Sequence, residues 1–174
     1  MKLKGVDLSL LYSMDNFKKM TMPYLKASID FNEFNKLKTL RISRTKVTSL
    51  AGIIAAPALS SLSLTYRHNL KAISEMNKLD NLSTRYRYIE KCKALRDFAV
   101  LEKSHSIEEL FLADVDSVEF VPGIAALKII KFCSLVDGNM EPPLTSKTLQ
   151  RVSFYPMKKS CSHSKDETNQ HLAK

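Results

Sequence analysis

The sequence predicts an α/β solenoid: short parallel strands, one per repeat, forming a curved sheet with tight turns or short helical segments behind it. The first observation is a recurring phrase of an apolar residue, two spacers, an apolar residue, one spacer and an apolar residue. It reads Leu37-x-x-Leu40-x-Ile42, Leu59-x-x-Leu62-x-Leu64, Ile107-x-x-Leu110-x-Leu112, Leu127-x-x-Ile130-x-Phe132 and Leu149-x-x-Val152-x-Phe154, with a degraded copy at Thr84, Arg87 and Ile89. The second is its period, since successive starts lie 22, 25, 23, 20 and 22 residues apart. The third is a second phrase, ten or eleven residues after each of the first four starts, with apolar residues at spacing three: Val47, Leu50, Ile53; Leu70, Ile73, Met76; Leu95, Phe98, Leu101; Val118, Val121, Ile124. Residues two apart on a strand share a face, so the last two positions of each first phrase point into the core. Spacing three suits a tight helical turn that fills the core from behind.

In chain order, residues 1 to about 23 are expected to cap the open end of the core with Leu8, Leu10, Leu11, Met14 and Phe17, because an uncapped repeat array exposes its apolar cross-section. Residues 24–34 look like an incomplete first repeat, and about six repeats then occupy 35–156, so that 1–156 forms a single domain. Asp137-Gly138-Asn139 and Pro142-Pro143 are expected to interrupt the last rear segment with a longer loop. The polar stretch 157–174 has almost no apolar surface to bury and is expected as a disordered tail or a loosely attached final helix.

Composition fits this reading. Of 174 residues 44% are apolar, enough for one continuous core. With only 4 glycines, the turns must draw on Asn, Asp, Ser, Thr and Lys. The first residues hold no apolar run of signal-peptide type, and no stretch approaches a membrane span. Cys92, Cys133 and Cys161 are odd in number and far apart, as free thiols in a reducing compartment would be; the expectation is a cytoplasmic protein. The net charge is +9, but Lys and Arg interleave with Asp and Glu, and no polybasic tract or nucleic-acid motif appears. The expected partner is therefore another protein, with an acidic face, rather than nucleic acid or membrane; the alternative is a basic scaffold for nucleic acid or an anionic surface.

Catalytic patterns are missing, and neither enzyme activity, cofactor nor metal is expected. His68 and His105 fall in turns, and Cys161, His163 and His171 match no tetrahedral metal spacing. The Ser160–Ser164 stretch has no nucleophile elbow, and Gly52, Gly123 and Gly138 stand alone rather than in a phosphate loop. Repeat phase instead names an outward sheet face with rows Thr39, Arg41, Ser43; Ser61, Ser63, Thr65; Tyr86, Tyr88, Glu90; Glu109, Phe111, Ala113; Ile129, Lys131, Cys133; and Arg151, Ser153, Tyr155. Large rings beside charged groups are the side chains that dominate protein-protein hot spots. The candidate partner-binding set is therefore Arg41, Tyr86, Tyr88, Glu109, Phe111, Ile129, Lys131, Arg151 and Tyr155.

From Lys36 onward the chain resembles the short bacterial leucine-rich-repeat proteins of the internalin type. The resemblance is carried by LKTLRISRTKVTSLAGI (37–53), LSSLSLTYRHNLKAISEM (59–76), IEKCKALRDFAVLE (89–102) and IEELFLADVDSVEFVPGI (107–124). It departs from that pattern where an Asn ladder would cap the inner turn: Thr45, Cys92 and apolar residues stand there instead. Internalins are secreted adhesins, a role that does not carry over without a signal peptide. The closing KKSCSHSKDE (158–167) is similar to the tails of small cytosolic members, some of which resemble immunity proteins that neutralise a cognate toxin in contact-dependent growth inhibition. The resemblance thus implies a protein-binding module of that kind.

Overall fold

A computed structural model describes residues 18–22, 33–43, 56, 58–65, 86–90, 98–155 and 160–174. Among the described residues seven strands form one sheet in chain order: β1 (Lys19–Met22), β2 (Thr39–Ser43), β3 (Ser61–Thr65), β4 (Tyr86–Glu90), β5 (Glu109–Val115), β6 (Ile129–Leu135) and β7 (Arg151–Phe154). Every neighbouring pair is parallel. Parallel neighbours require the chain to return behind the sheet between strands, so the protein is a solenoid in which each turn adds one strand. The predicted rear phrases at Val47–Ile53 and Leu70–Met76, and Leu95, lie outside the described residues.

The register aligns alternate strand positions into two rows, apolar except where Arg87 stands in the first. One runs Met20, Leu40, Leu62, Arg87, Leu110, Ile130, Val152; the other runs Met22, Ile42, Leu64, Ile89, Leu112, Phe132, Phe154. Leu40, Ile42, Leu62, Leu112, Ile130 and Val152 are wholly buried. The degraded repeat keeps its place, with Arg87 aligned between Leu62 and Leu110 and Ile89 buried between Leu64 and Leu112. At the far end the rings of Phe132 and Phe154 stack 5.1 Å apart.

Behind the sheet, spacing three becomes tight 3-10 turns, as the second phrase predicts. Ala99–Lys103 and Val121–Gly123 are 3-10 helices, and Phe98, Leu101, Val118, Val121 and Ile124 from this phrase are buried. A tight turn also launches several strands: the N–H of Leu37 donates to the Phe34 carbonyl, Leu59 to Ala56 and Leu127 to Ile124. In the last repeat the Ser146 hydroxyl accepts from the Leu149 N–H in place of that carbonyl.

Four findings depart from the sequence reading. Strand β1 lies inside the stretch assigned to the N-terminal cap, so the sheet gains a strand before Leu37. Its signal is present: Phe17-x-x-Met20-x-Met22 spells the phrase 20 residues upstream of Leu37, with methionines in the inward slots. Secondly, Thr65 and Ala113, placed on the outward face, are buried. In β5 the inward positions run 110, 112 and then 115, so the alternation slips by one as the strand bends, and Val115 and Leu135 carry the core round the corner. Thirdly, Asn139 to Thr145 is no open loop: α1 (Glu141–Leu144) forms one helical turn with Pro142 and Pro143 in it, where missing N–H donors cost nothing. The turn before it needs Gly138, whose φ of 70° lies in the left-handed region, and where a Cβ would meet the Ser160 carbonyl oxygen.

Fourthly, the polar tail is docked, by hydrogen bonds more than by apolar area. Its helix α2 (Lys165–Leu172) opens with a capping box: the Ser164 hydroxyl accepts from the Glu167 N–H, and the Glu167 carboxylate accepts from the Ser164 N–H at 2.7 Å. From α2, Asn169 reaches the open edge of β7. Its side-chain oxygen accepts from the Val152 N–H at 2.8 Å, and its amide donates to the Val152 carbonyl at 2.9 Å. One side chain thus supplies the pairing that a further strand would give, and closes an edge that would otherwise invite other strands. Leu172 and Cys161 pack partly buried against the core, and the Ser162 N–H ties back to the Gly138 carbonyl.

Three measurements check this account. Leu62→Ala or Leu110→Ala should lose about 2–5 kcal/mol in urea unfolding, because neighbouring repeats hold the cavity open. Asn169→Ala should raise the hydrogen-exchange rate of the Val152 amide while leaving exchange in β2 and β3 unchanged. The Glu167 carboxyl is held below the usual carboxylate range, first by the Ser164 N–H, then by the Ser164 hydroxyl and His163. A lowered folded value contributes stability above the unfolded value that is lost as pH falls through the folded one. Helix α2 should therefore loosen on acidification below the ordinary carboxylate range, followed by amide chemical shifts of 164–172, and Glu167→Gln should remove that dependence.

Candidate functional site

The outward positions of the strands also stack into rows. The first runs Lys19, Thr39, Ser61, Tyr86, Glu109, Ile129, Arg151, and the second Thr21, Arg41, Ser63, Tyr88, Phe111, Lys131, Ser153. All nine predicted partner-binding residues belong to this sheet or to its immediate end. Eight occupy the two rows, and Tyr155 follows directly after β7. At about 4.8 Å per strand, Arg41 on β2 stands roughly 24 Å across the sheet from Arg151 on β7.

The half of the face built by β5–β7 combines apolar and charged groups at adjacent positions. Ile129 lies between Glu109 and Arg151, and Phe111 lies beside Lys131. Phe111, Ile129, Glu109 and Lys131 are half-buried by their neighbours, Arg151 is exposed, and Tyr155 is 82% exposed. Tyr86 and Tyr88 are aligned with Glu109 and Phe111 through the backbone pairing of β4; their side chains lie outside the described residues. Beyond the bend, the Ser134 hydroxyl donates to the Asp114 carboxylate at 2.9 Å, so the next position is occupied by a polar pair.

The titratable groups of the tail form a structural cluster. The His163 Nδ1 lies 3.2 Å from the Ser162 hydroxyl and 3.5 Å from the Glu141 carboxylate. Nucleophile activation needs the hydroxyl and the acid on opposite ring nitrogens, whereas here both meet the same one. The Ser162 hydroxyl also accepts from the Met140 N–H, which fixes it as a tether between the tail and α1. His171 is exposed on the last turn of α2. Among the described residues no group of three His, Cys, Asp or Glu could hold a metal ion. Nor is any helix among them long and apolar enough to cross a membrane.

At the other end of the face the structure adds residues that the sequence reading passed over. Lys19 joins Arg41 on the outward rows, while Lys18 and Lys38 stand one position before β1 and β2; all four are exposed. The carbonyl of Lys18 accepts from the N–H groups of Lys38 and Thr39, and that of Lys38 from Ser60 and Ser61, which fixes Lys18 and Lys38 at equivalent places on successive turns. Recognising the phrase at Phe17–Met22 would have brought Lys19 into the outward rows.

Compared with known proteins, the chain matches no protein-family model and no curated protein.

Proposed function

We propose that this protein is a non-enzymatic binding module of leucine-rich-repeat type, whose outward sheet face docks a partner protein. One observation carries the reading: the β5–β7 half of the face sets Phe111 and Ile129 beside Glu109, Lys131 and Arg151, with Tyr155 left 82% exposed at its end. A partner covering this patch buries apolar groups at the centre and leaves the charges at the rim, the usual arrangement of tight interfaces. Parallel strands in register hold these side chains on a rigid frame, so little conformational freedom is lost on binding. Lys131 and Arg151 favour an acidic partner face.

In its most specific form the reading is a cytoplasmic bacterial immunity protein that covers the working surface of a cognate toxin of the contact-dependent growth inhibition type. Its support is the repeat phrase and the resemblance of the closing segment, joined to a face suited to protein contact.

The test asks whether a neighbouring gene encodes a toxin domain, whether the chain captures that domain, and whether it rescues cells expressing it. Phe111→Ala and Tyr155→Ala should each weaken that complex by more than about 1–2 kcal/mol in calorimetry with unchanged circular dichroism. Glu119→Ala, exposed behind the sheet, should leave binding as it was. Loss of binding in the rear variant alone would overturn the surface assignment.

A further inference from the structure

The backbone of strand β7 faces two ways. The N–H of Arg151 donates to the Lys128 carbonyl on the side of β6, whereas the N–H and carbonyl of Val152 point to the outer edge, where the Asn169 side chain takes both. Successive residues of a strand alternate in this way, so Phe154 also aims its N–H and carbonyl at that edge. Among the described residues no group pairs with them. The edge is thus closed at Val152 and open at Phe154.

What closes it is held lightly. The apolar residues of 160–174 are Cys161, Leu172 and Ala173; the first two are partly buried and the third is exposed. Thr168 is buried, yet its hydroxyl donates to the Ser164 carbonyl within the same segment. Helix α2 has 8 residues, too few to persist in water without its contacts. Those contacts are polar: the Asn169 pair, the capping box, the Ser162 bond to Met140 and the His163–Glu141 contact, whose carboxylate is 64% exposed. An element attached by so few apolar contacts opens far more often than the core does.

We infer that, with this helix lifted, two copies of the chain join through their β7 edges, antiparallel, about a two-fold axis at Ser153. In that register Val152 of one copy faces Phe154 of the other, both of them inward residues, so the two cores meet. Each such pair exchanges the N–H and carbonyl groups that already point outward. On the opposite face the exposed Arg151 meets the exposed Tyr155 of the second copy, whose ring can take the guanidinium. Ser153 meets its own counterpart, with Cβ atoms about 5 Å apart and little bulk between them. An axis at Val152 would instead set Phe154 against the exposed Gln150. Such a strand, complementary to itself, makes an isologous interface, and the docked helix guards against it. Pairing lays the β5–β7 faces of two copies on one sheet, and it holds whether or not that face binds a partner protein.

Sedimentation velocity of the full chain across a concentration series tests this, with circular dichroism to confirm that each variant is folded. The unaltered chain should run as a monomer. Asn169→Ala removes the two bonds to Val152 and should raise the open fraction roughly tenfold. Both copies must open, so the dimer should tighten roughly 100-fold. A Ser164→Ala, Glu167→Ala double variant loosens the helix without touching β7 and should also dimerise. Adding Ser153→Lys to Asn169→Ala opposes two like charges at the axis and should abolish the dimer, as should adding Ser153→Asp. An equimolar mixture of those two chains should restore it, because only the mixed pair is complementary. Monomers at every concentration in both loosened variants would overturn the proposal. A dimer indifferent to charge at Ser153 would overturn the β7 interface, and equal dimerisation of the unaltered chain would overturn the guarding role.

Discussion

Register between neighbouring strands is the constraint on which the rest of this structure depends. A single repeat offers one short strand and one tight turn, too little to bury its own leucines. Only when Leu40 meets Leu62, and Ile130 meets Val152, does a dry interior exist. A slip of one residue in any strand would turn its inward pair to solvent and break both rows at once. That cost explains how β4 holds its place with Arg87 in an inward register position: the backbone ladders on both sides, and Ile89 in the second row, fix the strand whatever stands in the first.

Such an array has an inherent weakness at its ends, where the last strand shows unpaired donors and acceptors. The chain answers at β7 with a polar device. Asn169 presents an amide to the Val152 N–H and carbonyl, and the helix carrying it is held by its capping box, by Ser162 and by the His163–Glu141 contact. Polar attachment suits this position. An apolar cap would extend the core beyond the last repeat and need a further cover, whereas a hydrogen-bonded one ends it.

The inner architecture was legible in the sequence because it rests on periodic apolar residues, and all six strand phrases became strands in one parallel sheet. What escaped depends on other signals. Strand β1 was hidden because methionines stood in its inward slots and the preceding Phe17 was counted toward a cap. A final helix was among the readings of the tail, but its firm attachment was hidden, because it is written in Ser164, Glu167 and Asn169, residues that composition alone classes with disordered tails. Thr65 and Ala113 were misplaced since strict alternation cannot foresee a strand that bends and shifts phase. The outward rows were readable in position; their chemistry was not, because the burial of Phe111 or Ile129 depends on neighbours a full repeat away.

A periodic fold also changes what a charge pattern means. Lys18 and Lys38 are 20 residues apart in the chain, yet sit on adjacent turns, so a sequence without a basic tract can still fold into a basic surface. The same operation sets Phe111 beside Lys131 and Ile129 beside Arg151 at the other end. Both surfaces are by-products of one rule: whatever spacing stacks the leucines inside must stack their outward neighbours as well. The inward rows fix the frame, and the outward positions can differ in chemistry without endangering it. One end of the frame can hold hydroxyls and cations while the other holds rings and mixed charges, and the core between them registers no difference.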